Sequence, residues 1–220
     1  MTRSNPDTKT QPTARRLGRR LGASAAVAAV ALMLAPAAGQ AAKYGHYKFG
    51  AELNPTVQPS NSVPSHPCEP VPGQACTRVS MEAYGRPDGG ERAPRHGVIK
   101  RVRLIAGEAG SFRPLLARAN PDTQRAKLSR YGPKIDYEGQ DQANWDSDQY
   151  KVESFRVNIP VRRGERLGAL GRYTSMVRCS SGGANQLLFQ PRLLKSPVQT
   201  ADETDGCWLL MEAVVKYRRR

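Results

Sequence analysis

Residues 131–150 carry the side chains best suited to chemistry. The chain has 2 Trp, 8 Tyr and 4 Phe, and Tyr131, Tyr137, Trp145 and Tyr150 all fall in this one stretch. Between them lie Asp136, Glu138, Gln140, Asp141, Gln142, Asn144, Asp146 and Asp148. Aromatic faces stack on sugar rings while carboxylates and amides bond sugar hydroxyls, so the pattern suits carbohydrate recognition. Oxygen donors at alternating positions also suit a hard cation such as calcium. The plain alternative is a long loop whose aromatics pin it to the body of the protein and whose acids face water. The ligand-binding candidates are Tyr131, Tyr137, Trp145, Tyr150, Asp146 and Asp148, with Trp145 the central stacking platform.

Catalysis finds less support. Asp136 with Glu138, or Asp146 with Asp148, offers paired carboxylates, but neighbouring acids are common in any solvated loop. No G-x-S-x-G elbow and no phosphate-cradling glycine loop occurs. His46, His66 and His96 lack an H-x-x-x-H spacing, and the four cysteines lack C-x-x-C pairs, which argues against zinc. The expectation is a non-enzymatic protein with no catalytic residue, metal or cofactor.

The elements that must position these residues are strands. Phe155, Val157 and Ile159 alternate with Ser154, Arg156 and Asn158, the period of a strand with one buried and one wet face. Pro160 marks that strand's end or an edge, and Arg163-Gly164-Glu165 reads as a turn into a returning strand over residues 166–170, giving a hairpin. Residues 77–83, 98–105, 126–131 and 187–189 read as further strands. Residues 112–119 read as an edge or bulged strand because of Pro114. Residues 208–217 carry apolar side chains on both faces at their start, as a central strand does. The segments 85–97, 132–151, 171–185 and 196–206 read as loops. About eight strands without a helical period predict an all-β, antiparallel two-sheet β-sandwich, with jelly-roll order ahead of an immunoglobulin-like one.

The N-terminus has the make-up of a secretory signal peptide over residues 1–42. Arg15, Arg16, Arg19 and Arg20 precede an apolar run over residues 23–35, and small residues allow cleavage after Ala37 or Ala41. The run is too short and too alanine-rich for a membrane span. Residues 43–75 follow as an N-terminal arm (or first short strand) and a proline-rich lead-in, and the sandwich is placed at residues 76–220. Cys68, Cys76, Cys179 and Cys207 all lie in the exported part, so two disulfides are expected, with local pairing of Cys68 to Cys76 and Cys179 to Cys207.

The formal net charge is +15. Six of the 34 Lys and Arg and one of the 19 acids lie in residues 1–42, leaving +10 for the remainder. Such a surface attracts wall polymers, acidic glycans or anionic headgroups, although an arginine-rich, Ala-, Gly- and Pro-rich composition also arises without selection for a partner. Export removes the usual nucleic-acid partners.

The segment Phe155-Arg156-Val157-Asn158-Ile159-Pro160-Val161-Arg162-Arg163-Gly164-Glu165-Arg166-Leu167-Gly168 resembles the penultimate hairpin of secreted jelly-roll domains. An early strand at residues 98–105 and Gly206-Cys207-Trp208 opening the last strand sit in comparable order. From about Cys76 onward the chain is similar to secreted jelly-roll-like β-sandwich proteins of high-GC Gram-positive bacteria. It departs from their pattern in having Glu165 where Asp is favoured. The resemblance implies fold and export, and carries over no catalytic or binding residue. Two functions follow as expectations: a secreted or wall-associated carbohydrate-binding domain, or a basic envelope protein held electrostatically on anionic wall polymers.

Overall fold

The computed structural model describes residues 43–54, 56, 59, 75–86, 90–140, 150–171, 176–179 and 183–219. All lie in one compact unit, Ala41–Arg220. The proposed signal segment, Cys68 and most of the proline-rich lead-in fall outside the described residues.

The described residues form fourteen strands and no helix. Eight of them build the framework: β1 (Tyr44–Gly50), β2 (Cys76–Ser80), β3 (Gly97–Leu104), β4 (Gly110–Asn120), β5 (Arg125–Tyr131), β7 (Glu153–Val161), β8 (Arg166–Gly171) and β14 (Met211–Arg218). One sheet has the order β1-β14-β3-β7, and the other contains β5-β4-β8-β2. First, last, third and sixth framework strands in one sheet, with the second, seventh, fourth and fifth in the other, is jelly-roll order. Short strands complete the molecule: β6 (Ile135–Tyr137) on β4, β10 (Gln186–Phe189) and β12 (Glu203–Asp205) beyond β2, and β11 (Gln199–Thr200) beyond β5. β9 (Val177–Cys179) pairs with β13 (Cys207–Leu209).

Alternation explains the core. Phe49, Val102, Leu104, Ala213 and Val215 from the first sheet meet Phe112, Leu116, Leu167 and Ala169 from the second. Fully burying a side chain of the larger of these kinds stabilises by roughly 1.5–3 kcal/mol. The faces of β7 are as its sequence predicts, with Ile159 buried, Phe155 and Val157 half-buried against the core, and Ser154, Arg156, Asn158 and Pro160 exposed. A second apolar layer lies on the outer face of the larger sheet, where Leu115, Ala117, Leu128 and Phe189 pack beneath Leu193. The smaller cluster of Ala51, Leu53, Ile105, Tyr150 and Leu210 is separate from both.

Several expectations are corrected. The predicted hairpin is a crossover, because β7 pairs with β3 in one sheet while β8 pairs with β4 and β2 in the other. Its turn is held from outside. Gly164, at φ +81°, donates its N–H to the Ala93 carbonyl at 2.8 Å, and Ala93 donates to the Glu165 carbonyl at 2.9 Å. The Glu165 carboxylate accepts from the Arg162 N–H at 2.7 Å and from Arg130 at 3.3 Å.

Strand β4 is central rather than an edge, lying between β8 and the β5–β6 pair. Pro114 is tolerated there because its carbonyl faces the interruption between β5 and β6, where it accepts from Gly132 at 2.7 Å. In an antiparallel strand the N–H of a residue points the same way as its carbonyl, so the missing donor faces that gap. The expected bulge lies at Leu116/Ala117. Of the two readings for residues 43–50, the strand holds. β1 pairs with β14 along its whole length, so the sandwich begins there rather than at Cys76. Three segments read as loops contain the short strands β6, β9, β11 and β12. The last predicted strand is broken at Leu210, whose N–H bonds the Met176 carbonyl at 2.8 Å; β14 beyond it is central, between β1 and β3.

Cys179 is bonded to Cys207, directly opposite it across β9 and β13, with a Cα–Cα distance of 3.9 Å. Cys76 is also disulfide-bonded, and its expected partner, Cys68, lies outside the described residues.

Candidate functional site

Among the described residues of the aromatic-acidic loop, the three tyrosines pack into three different clusters. Tyr131, in β5, is half-buried against the outer apolar layer, and its hydroxyl donates to the Leu193 carbonyl at 2.9 Å. Burial pushes its phenol pKa up, and nearby Arg192 and Arg113 only partly offset this. Tyr137, in β6, is 5% exposed and meets Phe112 edge-on at 5.8 Å in the main core. Tyr150 is 6% exposed in the smaller cluster with Ala51, Leu53, Ile105 and Leu210. Three side chains predicted to stack on a ligand thus pin the loop at three separate places. Trp145, Asp146 and Asp148 lie outside the described residues.

The acids flanking this loop hold its own chain. The Glu153 carboxylate accepts from the backbone N–H groups of Glu138 and Gly139 at 3.1 and 2.8 Å. Glu138 pairs with Lys151, and Asp136 with Lys134 at 3.0 Å. Among the described residues, no three His, Cys, Asp or Glu side chains cluster as they would around a metal ion.

A different constellation stands on the outer face of the four-stranded sheet. Period-two alternation sends Met211, Ala213 and Val215 into the core and Glu212, Val214 and Lys216 outward. Register then aligns Lys48, Val214, Arg101 and Arg156 in one row across four strands. The next row is His46, Lys216, Val98 and Pro160, and on the other side lie Gly50, Glu212, Arg103 and Ser154. At the β3 bulge Lys100 is also exposed, and its ammonium donates to the Asn158 side chain. Six cations therefore share these rows and the bulge with one acid.

That acid is already engaged. Glu212 is 1% exposed and holds Arg86 and Arg103 at 2.6 Å each and Lys48 at 3.4 Å. Arg101 and Arg156 lie opposite each other with no acidic partner among the described residues. Like charges directly opposite destabilise a sheet, and a bound anion would relieve that repulsion.

Arg166 does not join this face. In β7, the neighbour of β3, the arginine opposite Arg101 is Arg156. Arg166 is 1% exposed and points into the protein, donating to the Met81 carbonyl at 2.6 Å with Glu91 at 3.7 Å. Burial, followed by the charge of Arg92, lowers its pKa to about 10. Lys48, Arg156 and Lys216 were missed because alternation reveals which face a residue takes but not which strands become neighbours. No protein-family model, curated protein or solved structure matches the chain.

Proposed function

We propose that the chain is a secreted, non-catalytic domain that attaches to anionic polymers of the cell surface through the outer face of its four-stranded sheet. The observation that carries this reading is the row formed by Lys48, Arg101 and Arg156, flanked by Lys100 and Lys216. The only acid in these rows is buried and shared among three cations. A sheet face carrying several exposed cations suits a repeating anion, which can neutralise several of them along its length. The signal-like segment at residues 1–42 supports export to where such polymers occur. The glycan-reading alternative rests on Trp145, Asp146 and Asp148, because the three tyrosines of its set are engaged in packing.

Retention of the full chain on immobilised poly(glycerol phosphate), measured against salt, tests the proposal. Binding should weaken steeply as ionic strength rises. The Arg101→Gln/Arg156→Gln double variant should reduce the slope of log K against log salt by about 1 to 2, as expected for two lost phosphate contacts. Trp145→Ala should leave retention intact. Retention that survives high salt and disappears in Trp145→Ala would overturn the polymer reading and favour a stacked glycan.

A further inference from the structure

Beyond the sheet face, we infer that a groove at the end of the sandwich is a discrete site for a ligand carrying a multiply charged phosphate group. The groove encloses about 900 Å³ and is lined chiefly by Arg95, His96, Arg163, Tyr217, Arg218 and Arg219. Three separated segments meet there. Arg95 and His96 precede β3, Arg163 occupies the crossover turn, and Tyr217, Arg218 and Arg219 lie at the end of β14 and just beyond it. The pairing of Gly97 with Val161 and of Val98 with Lys216 brings these segments to one end of the four-stranded sheet.

Arg95 is held in advance. Its guanidinium carbon lies 4.6 Å from the centre of the Tyr217 ring, and its carbonyl accepts from the Tyr47 hydroxyl at 2.5 Å. Burial pushes the Tyr47 phenol up to about 12, the opposing pull of Arg95 notwithstanding, and the hydroxyl, protonated at neutral pH as in any tyrosine, serves as a donor. Tyr217 is itself fixed across Gly45, where a Cβ would come within 2.5 Å of its phenol. Only a glycine admits the ring at that distance. An arginine stacked on an aromatic face still offers the N–H groups at its edge, in a planar fork that matches phosphate oxygens.

Charge and size name the ligand class. Four arginines line one concavity with no acid among the lining residues, and His96 adds a donor in either protonation state. A single carboxylate would offset one of these charges, whereas a phosphate monoester or pyrophosphate offsets two or more. The volume falls within the roughly 300–1,000 Å³ of small-ligand sites and is far larger than one phosphate needs. It leaves room for a sugar or polyol beside the arginines.

Calorimetric titration of the full chain with pyrophosphate, and with acetate at matched ionic strength, tests the site. Pyrophosphate should bind saturably and acetate should not. Arg163→Gln alters an exposed turn residue and should leave the thermal midpoint unchanged while weakening pyrophosphate about tenfold. Arg95→Lys keeps the charge but removes the planar fork, and should weaken it by a similar factor. The Arg101→Gln/Arg156→Gln variant serves as the control and should bind pyrophosphate normally. Pyrophosphate binding that is indifferent to Arg163→Gln and Arg95→Lys would overturn the groove site, as would acetate binding equally well. If binding fell only in the sheet-face control, the groove would be excluded and the polymer-binding face left standing.

Discussion

Glu212→Ala is expected to lower the stability of the folded chain by about 3 kcal/mol, the low end of the range for breaking a buried ion network. The carboxylate side chain is 2% exposed, while its partners Arg86 and Arg103 are 23% and 26% exposed. Removing the acid therefore leaves two partly buried guanidinium groups without their 2.6 Å acceptors. Water can reach part of each cation, which keeps the cost below that of a fully buried orphan. For a domain of this size the thermal midpoint should fall by roughly 6–12 °C. Glu138→Gln, which removes an exposed pair with Lys151, serves as the comparison and should leave the midpoint where it was. Calorimetry on both variants decides the matter: equal midpoints would mean that Glu212 is replaceable and that packing alone holds β1, β14 and β3.

Removal of the Cys179–Cys207 bridge by the double serine variant should cost about 3–4 kcal/mol on the chain-entropy account. The bond spans a sequence separation of 28 residues. That segment contains β10, β12 and β11, which extend the larger sheet at both of its edges, as well as Leu193 over the outer apolar layer. Without the bridge the unfolded chain gains the freedom of a loop of that length, while the native contacts remain. Denaturant titration should show the midpoint falling and the slope rising, because the unfolded chain without the bridge is less compact. Limited proteolysis of the variant should cut first between residues 180 and 206. Wild-type protein that loses nothing on reduction would contradict this account.

Much of the fold could be read from alternation, and little of its strand order could. Phe155, Val157 and Ile159 face the core as their spacing predicts, whereas the apolar start of the last predicted strand falls in β13, which among the described residues pairs only with β9, and the central strand is β14 beyond the break. The spacing of Arg162 to Glu165 cannot distinguish a hairpin from a crossover, because a short turn serves both. What decides is the pairing of β7 with β3 and of β8 with β4, contacts between residues far apart in the chain. Pro114 misled for a related reason: its missing donor is harmless only because β5 ends and β6 begins beside it. The same limit applies to the described residues of the candidate site. A cluster of aromatics in sequence became three pins in three clusters, while cations scattered over four strands became one face.

The first and last strands of the domain lie side by side, with Tyr44 opposite Arg218 and the Arg219 N–H bonded to the Lys43 carbonyl at 2.8 Å. A load applied between these two ends would not shear the ladder but unzip it, breaking its hydrogen bonds one after another from the Lys43 end. Tension would reach Tyr217 and Gly45 first and Phe49 in the core last. Pulled by its ends, the domain should yield at lower force in an optical trap than when pulled from Lys43 against Glu212, where the same bonds share the load. A protein gripped in this way would surrender the Tyr217 groove under tension before it lost its fold.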